Sequence, residues 1–151
     1  MSTRSIIVTT DKTQSLRLYK HHDGYPSGTL AVIATVLAQA QSSLTANVLA
    51  EKLEVYPAQN PNLGVGAIRI EETAKGEFSL SILGDQWDLE WIYVINTTKR
   101  TIDVYGGRYM DCSPQDMYMQ GMAECGDLDD SILQSLQASK YQLNNLGEQD
   151  D

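Results

Sequence analysis

The run Gln14-Ser15-Leu16-Arg17-Leu18-Tyr19-Lys20-His21-His22-Asp23-Gly24-Tyr25-Pro26-Ser27-Gly28-Thr29-Leu30 changes its hydrophobic period halfway along. Over Gln14–His21, Leu16 and Leu18 alternate with Arg17 and Tyr19, the period of two of a strand with one wet face. Beyond the Asp-Gly and Tyr-Pro pairs, Thr29–Gln41 places Leu30, Ile33, Leu37 and Ala40 on one helical face, with Val32 and Val36 beside them. So much apolar surface around one axis predicts a helix buried against a sheet. A strand that feeds a buried helix, among several further strands, predicts an α+β fold. The expectation is an antiparallel sheet of about five or six strands with helices packed on one side.

The junction between strand and helix concentrates chemistry. Asp23-Gly24 ends the strand, because Gly accepts positive φ and Asp bonds its own neighbouring backbone. Pro26 drives Tyr25 toward extended geometry. Ser27 or Thr29 is placed to cap the helix, and Gly28 lets backbone approach a ligand closely. A helix N-terminus has unpaired N–H groups and a positive dipole end, so it suits a phosphate or carboxylate. His21 and His22 are expected on opposite sides of an extended chain, with at most one facing such a pocket. Asp23 can orient an imidazole and raise its pKa, while Tyr25 offers a flat ring and a hydroxyl. The ligand-binding candidates are therefore His21, His22, Asp23, Tyr25, Ser27, Gly28 and Thr29. The same residues also read as a plain structural turn, and both readings stand. No further histidine exists to complete a metal site, and Ser27-Gly28-Thr29 lacks the Gly-Lys-Ser/Thr of a phosphate-binding P-loop.

The segment Tyr19, His21, Asp23, Gly24, Tyr25, Pro26, following a Leu-x-Leu strand, resembles small uncharacterised proteins of phages, prophages and bacterial genomes. In those proteins the run is usually Tyr-Arg-His-Trp-Asp-Gly-Tyr-Pro; here Lys20 replaces Arg and His22 replaces Trp. The later Leu89-Glu90-Trp91-Ile92-Tyr93-Val94-Ile95 is similar to their second half. The resemblance implies a phage-type accessory protein, with counter-defence as a natural employment, and carries no catalytic residue.

The chain has 151 residues, 42% of them hydrophobic and 21% charged, which fits one domain over 1–146 with a short acidic tail at 147–151. Cys112 and Cys125 form no zinc or disulfide pattern, so a reducing cytoplasm is expected, the host's if the protein is phage-encoded. Met1-Ser2-Thr3-Arg4 leads into a β-like run without a secretory signal. The apolar run Leu30–Ala40 is too short to span a bilayer, so no membrane is expected. The net charge of −9 is concentrated in residues 110–151, which hold nine acidic residues and one basic one. That excludes direct binding to a nucleic-acid backbone, which needs clustered cations. An acidic face is suited to a basic groove on a host protein, and Asp127, Asp129 and Asp130 are the partner-binding candidates. The simpler roles of these residues are solubility and negative charge at a helix start.

In order, Ser5–Thr10 is a β-branched strand that hairpins into Gln14–His21. Leu44–Val55 is a second helix, and Tyr56–Gly66 is a loop long enough to act as a lid. Strands are expected at Ala67–Glu72, at Glu77–Leu83 (Phe78, Leu80 and Ile82 alternating), at Trp87–Ile95 and at Thr101–Tyr105. Trp87, Asp88, Glu90 and Trp91 form a second cluster able to meet a base or sugar, although aromatics on a strand are also ordinary core. Ser113-Pro114-Gln115-Asp116 starts a short helix carrying Met117, Met119 and Met122, and Asp129-Asp130 caps another. Leu128, Ile132, Leu136, Leu143 and Leu146 are expected to track one face of that helix. The functional expectation is a non-enzymatic binding protein that occupies a host protein or sequesters a small nucleotide-like anion. A homo-oligomer can build the pocket from two chains, and no cofactor is called for. The alternative is an enzyme on a phosphorylated or nucleotide substrate with His21 or His22 as acid/base.

Overall fold

The structure is a computed structural model that describes residues 3–40, 43–59, 67–107, 112–123, 125 and 128–145. Its elements are β1 (Ser5–Thr10), β2 (Gln14–Lys20), α1 (Pro26–Gln39), α2 (Ala46–Gln59), β3 (Ile68–Lys75), a 3₁₀ turn (Leu80–Leu83), β4 (Trp91–Asn96), β5 (Thr101–Gly106), α3 (Pro114–Met119), α4 (Asp130–Ser139) and β6 (Gln142–Leu143). The fold is α+β, with six strands in the order β3-β2-β1-β4-β5-β6.

The sheet is mixed rather than purely antiparallel. β2 runs antiparallel to β1 and β3, and β5 antiparallel to β4, but β1 and β4 are parallel from Ser5↔Trp91 to Thr10↔Asn96, as are β5 and β6. Every residue of β1 is buried, so this strand needs a neighbour on each edge and cover on each face. The hairpin supplies β2 on one edge. The chain then crosses over through α1, α2 and β3 before returning as β4, and a crossover of that kind delivers a parallel strand.

Side-chain alternation divides the core in two. Ile7, Leu16, Leu18, Tyr93, Ile95, Ile102 and Val104 pack with α1, α2 and α4. Ile6, Val8, Tyr19, Ile92, Val94 and Tyr105 face the other way, against Ile82, Leu83, Leu89 and Met117. The expectation of helices on one side therefore holds for three helices only, because α3 and the 3₁₀ turn cover the second face. That turn replaces the strand expected at Glu77–Leu83. Consecutive Ile82 and Leu83 are both buried, which a strand cannot achieve against one layer, since its neighbours point to opposite faces. A tight helical turn puts both on the sheet.

Other boundaries move for local reasons. α1 starts at Pro26, whose fixed φ suits the first helical position, with Tyr25 as the capping residue in place of Ser27 or Thr29. α2 continues through Tyr56–Gln59, so the first part of the expected lid is helix; residues 60–66 lie outside the described residues. The caps at Ser113 and Asp129 form as expected, accepting from the N–H of Asp116 and Ile132. α4 stops at Lys140, which turns left-handed, and Leu143 belongs to β6. Leu146 and the 147–151 tail lie outside the described residues. Among the described residues no helix is long and apolar enough to cross a membrane.

Candidate functional site

The junction is organised around a residue that the sequence reading passed over. Lys20 continues the series Leu16, Leu18 at steps of two, so its side chain enters the apolar layer under α1 and α2, and it is 0% exposed. Its ammonium donates to the carbonyls of His22 and of Asp23, the latter at 3.2 Å. Burial pulls its pKa from 10.5 down to about 8, against the opposing pull of the Asp23 charge. A buried cation is tolerated only where its protons find acceptors, and here the chain folds its own backbone over the ammonium.

That backbone is closely fitted. Asp23, not Gly24, takes the left-handed conformation, at φ 54°. Its carbonyl also accepts the Thr29 hydroxyl at 2.9 Å. Gly24 is needed for proximity: a Cβ there would lie 2.7 Å from the Thr3 carbonyl oxygen and 2.9 Å from Ser5 Cβ. Its N–H donates to the Thr3 carbonyl, and its own carbonyl accepts the buried Tyr93 hydroxyl at 2.5 Å. Gly28 is required in the same way, since a Cβ would lie 2.7 Å from the Asp23 carbonyl oxygen. The close approach expected at Gly28 is therefore to the turn itself.

The helix start is largely satisfied from within. Pro26 has no N–H, and the N–H groups of Gly28 and Thr29 both donate to the Tyr25 carbonyl, at 3.0 and 2.9 Å. With the Thr29 hydroxyl bound to Asp23, neither Gly28 nor Thr29 offers an anion the donors that the sequence suggested. Ser27 is exposed.

What the turn displays is side chains. β2 ends at Lys20, so His21 and His22 escape the strict alternation expected of them, and their rings meet edge-on with centroids 4.5 Å apart. His21 Nδ1 lies 2.7 Å from the Tyr19 hydroxyl. That partner, not Asp23, orients the imidazole. Asp23 instead accepts from the Tyr25 hydroxyl at 3.1 Å, a bond that raises the Tyr25 pKa and holds its 41%-exposed ring over the turn. Partial desolvation and the positive charges of Arg4, His22 and Arg69 push the His21 pKa below its ordinary value, with Asp88 opposing. These influences favour the neutral imidazole. Arg69 lies 5.4 Å above the Tyr19 ring and pairs with Glu71 at 3.7 Å, while Arg4 pairs with Asp88 at 3.2 Å.

The second sequence cluster does not converge. Asp88 is occupied by Arg4 and by the Gln86 amide, and Trp87 is 54% exposed. Trp91 packs over Gly107, where a Cβ would strike its ring at 2.6 Å. On the acidic segment, Asp129 caps α4, bonding Ser131 Oγ at 2.6 Å and the Ile132 N–H at 3.0 Å, and those bonds lower its pKa. Asp130 is exposed in the first turn, and Asp127 lies outside the described residues. Among the described residues no group of three His, Cys, Asp or Glu is arranged to hold a metal ion. No protein-family model, curated protein or solved structure matches the chain.

Proposed function

We propose that the protein is a small non-catalytic binding protein whose junction recognises an anionic group on its partner. His21 and His22 supply the contacts, with Arg4 and Arg69 beside them, each paired to a carboxylate. In a phage setting, which the likeness of Tyr19–Pro26 to phage and prophage proteins suggests, it would act by occupying a host component. One observation carries this reading: the turn's carbonyls are tied down by Lys20, Thr29 and Tyr93, so the imidazoles ride on a fixed platform. Preorganised side chains bind without a large ordering cost. The Tyr19–His21 bond fixes which imidazole nitrogen faces outward. Native mass spectrometry of the protein purified from its host cells tests the proposal. A bound species present in the wild type and lost from His21→Ala/His22→Ala, with the melting temperature unchanged, supports it. Equal occupancy in both refutes it.

A further inference from the structure

At the opposite end of the sheet from His21, roughly 20 Å away along strands of this length, lies a cavity of about 550 Å³. It opens where α1 and α4 end beside the β4–β5 turn. Among the described residues its charged lining residues are Arg100 and Lys140, both cations, and no carboxylate lines it. Neither cation joins an ion pair among the described residues. Leu37 and Leu44 form an apolar wall, and Tyr141 closes the side. Tyr141 is only 9% exposed, and its hydroxyl makes no hydrogen bond among the described residues. The two helix C-termini bring about half a negative charge each, which two full positive charges outweigh.

A second observation points the same way. Arg100 and Lys140 both hold left-handed backbone, at φ 56° and 64°. Each sits where a turn or helix end ordinarily takes Gly or Asn, the residues that adopt this conformation at least cost. Two strained positions occupied by long cations, both lining one cavity, are what a functional demand on the side chains produces.

We infer that this cavity is a binding site for a phosphate group carried on a small organic molecule. The Arg100 guanidinium and the Lys140 ammonium grip the phosphate oxygens, the Tyr141 hydroxyl donates to one of them, and the organic part lies against Leu37 and Leu44. The site is independent of the His21–His22 junction, so either can fail without the other.

The test is an amide NMR titration of the full chain with inorganic phosphate, phenyl phosphate and phenol, on the wild type and on Arg100→Gly and Lys140→Gly. Saturable shifts at Ala40, Arg100 and Ser139–Tyr141 are expected with both phosphates and not with phenol, phenyl phosphate binding about tenfold more tightly. Each glycine variant should weaken binding at least about tenfold while its melting temperature holds or rises, because glycine relieves the left-handed strain. Variants that bind as the wild type does, or no saturation with either phosphate at millimolar concentration, would overturn the site. Equal affinity for the two phosphates would overturn the organic part of the assignment.

Discussion

Replacing Lys20 by methionine removes a buried cation while keeping most of its volume, and the consequence is a specific dependence on pH. With its pKa at about 8 when folded, against an ordinary value of 10.5, the ammonium costs the native state about 3 kcal/mol wherever both states are protonated. The penalty is complete below pH 8, where the folded and the unfolded chain both carry the proton. As pH rises from 8 toward 10.5 the folded state releases its proton first. The unfolded state then binds more protons than the native one, so stability rises with pH. Methionine has nothing to titrate, so the stability difference between wild type and Lys20→Met isolates this group from every other titration. Between pH 7 and 9.5 that difference should move in favour of the wild type by about 2 kcal/mol. At pH 7 the variant also loses the donor to the His22 carbonyl, a deficit of about 1–3 kcal/mol, which the relief of the desolvation offsets or exceeds, so the change with pH and not the value at one pH is the test. Urea denaturation of both proteins at the two pH values measures the quantity directly. A difference that does not change with pH would mean that Lys20 reaches solvent and does not hold the turn.

Gly24→Ala drives a methyl group into the Thr3 carbonyl and Ser5 Cβ, and should cost about 1–3 kcal/mol in denaturant unfolding. Ser5 Oγ is buried without a hydrogen-bond partner among the described residues, so Ser5→Ala should be neutral or stabilising by up to about 1 kcal/mol in the same assay. Ser113→Ala deletes the acceptor of the Asp116 N–H at 3.1 Å and should destabilise by about 1 kcal/mol, while Ser113→Asn should retain most of that stability.

Much of the architecture was legible because it is written in local periodicity. The alternation of Leu16 and Leu18, the doubly apolar run through Ile92 and Val94, and the helical spacing of Leu30, Ile33 and Leu37 each name an element and its buried face. The caps at Ser113 and Asp129 were legible because a short polar side chain before an apolar run answers a fixed need of the helix start. Strand direction is a different kind of quantity. Nothing within Trp91–Asn96 specifies whether it runs with β1 or against it, since that depends on the intervening crossover. The 3₁₀ turn at Leu80–Leu83 hid behind an alternating pattern that Leu83, buried next to Ile82, breaks in its last residue.

The junction shows the same division. The alternation of an extended chain sets His21 and His22 on opposite sides, but β2 ends at Lys20 and their rings meet edge-on, while Tyr25 bonds Asp23. The donors expected of Gly28 and Thr29 have acceptors nearer than any ligand, in the carbonyls of Tyr25 and Asp23. Lys20 was visible in the pattern as the third term of Leu16, Leu18, Lys20. Its charge argued for the wet face, and only the folding of the His22 and Asp23 carbonyls over its ammonium explains why it points inward.

On the proposed reading the imidazole pair, and not the acidic segment, makes the contact with the partner. The most direct measurement is capture of host components by immobilised wild type, His21→Ala/His22→Ala and Asp130→Lys, side by side at low and high salt. Asp130 is the clean choice on the acidic side, because Asp129 also caps α4. The histidine variant should lose the captured species, Asp130→Lys should keep it, and high salt should weaken capture by the wild type. Capture that survives removal of both histidines and is abolished by Asp130→Lys would contradict the proposed reading.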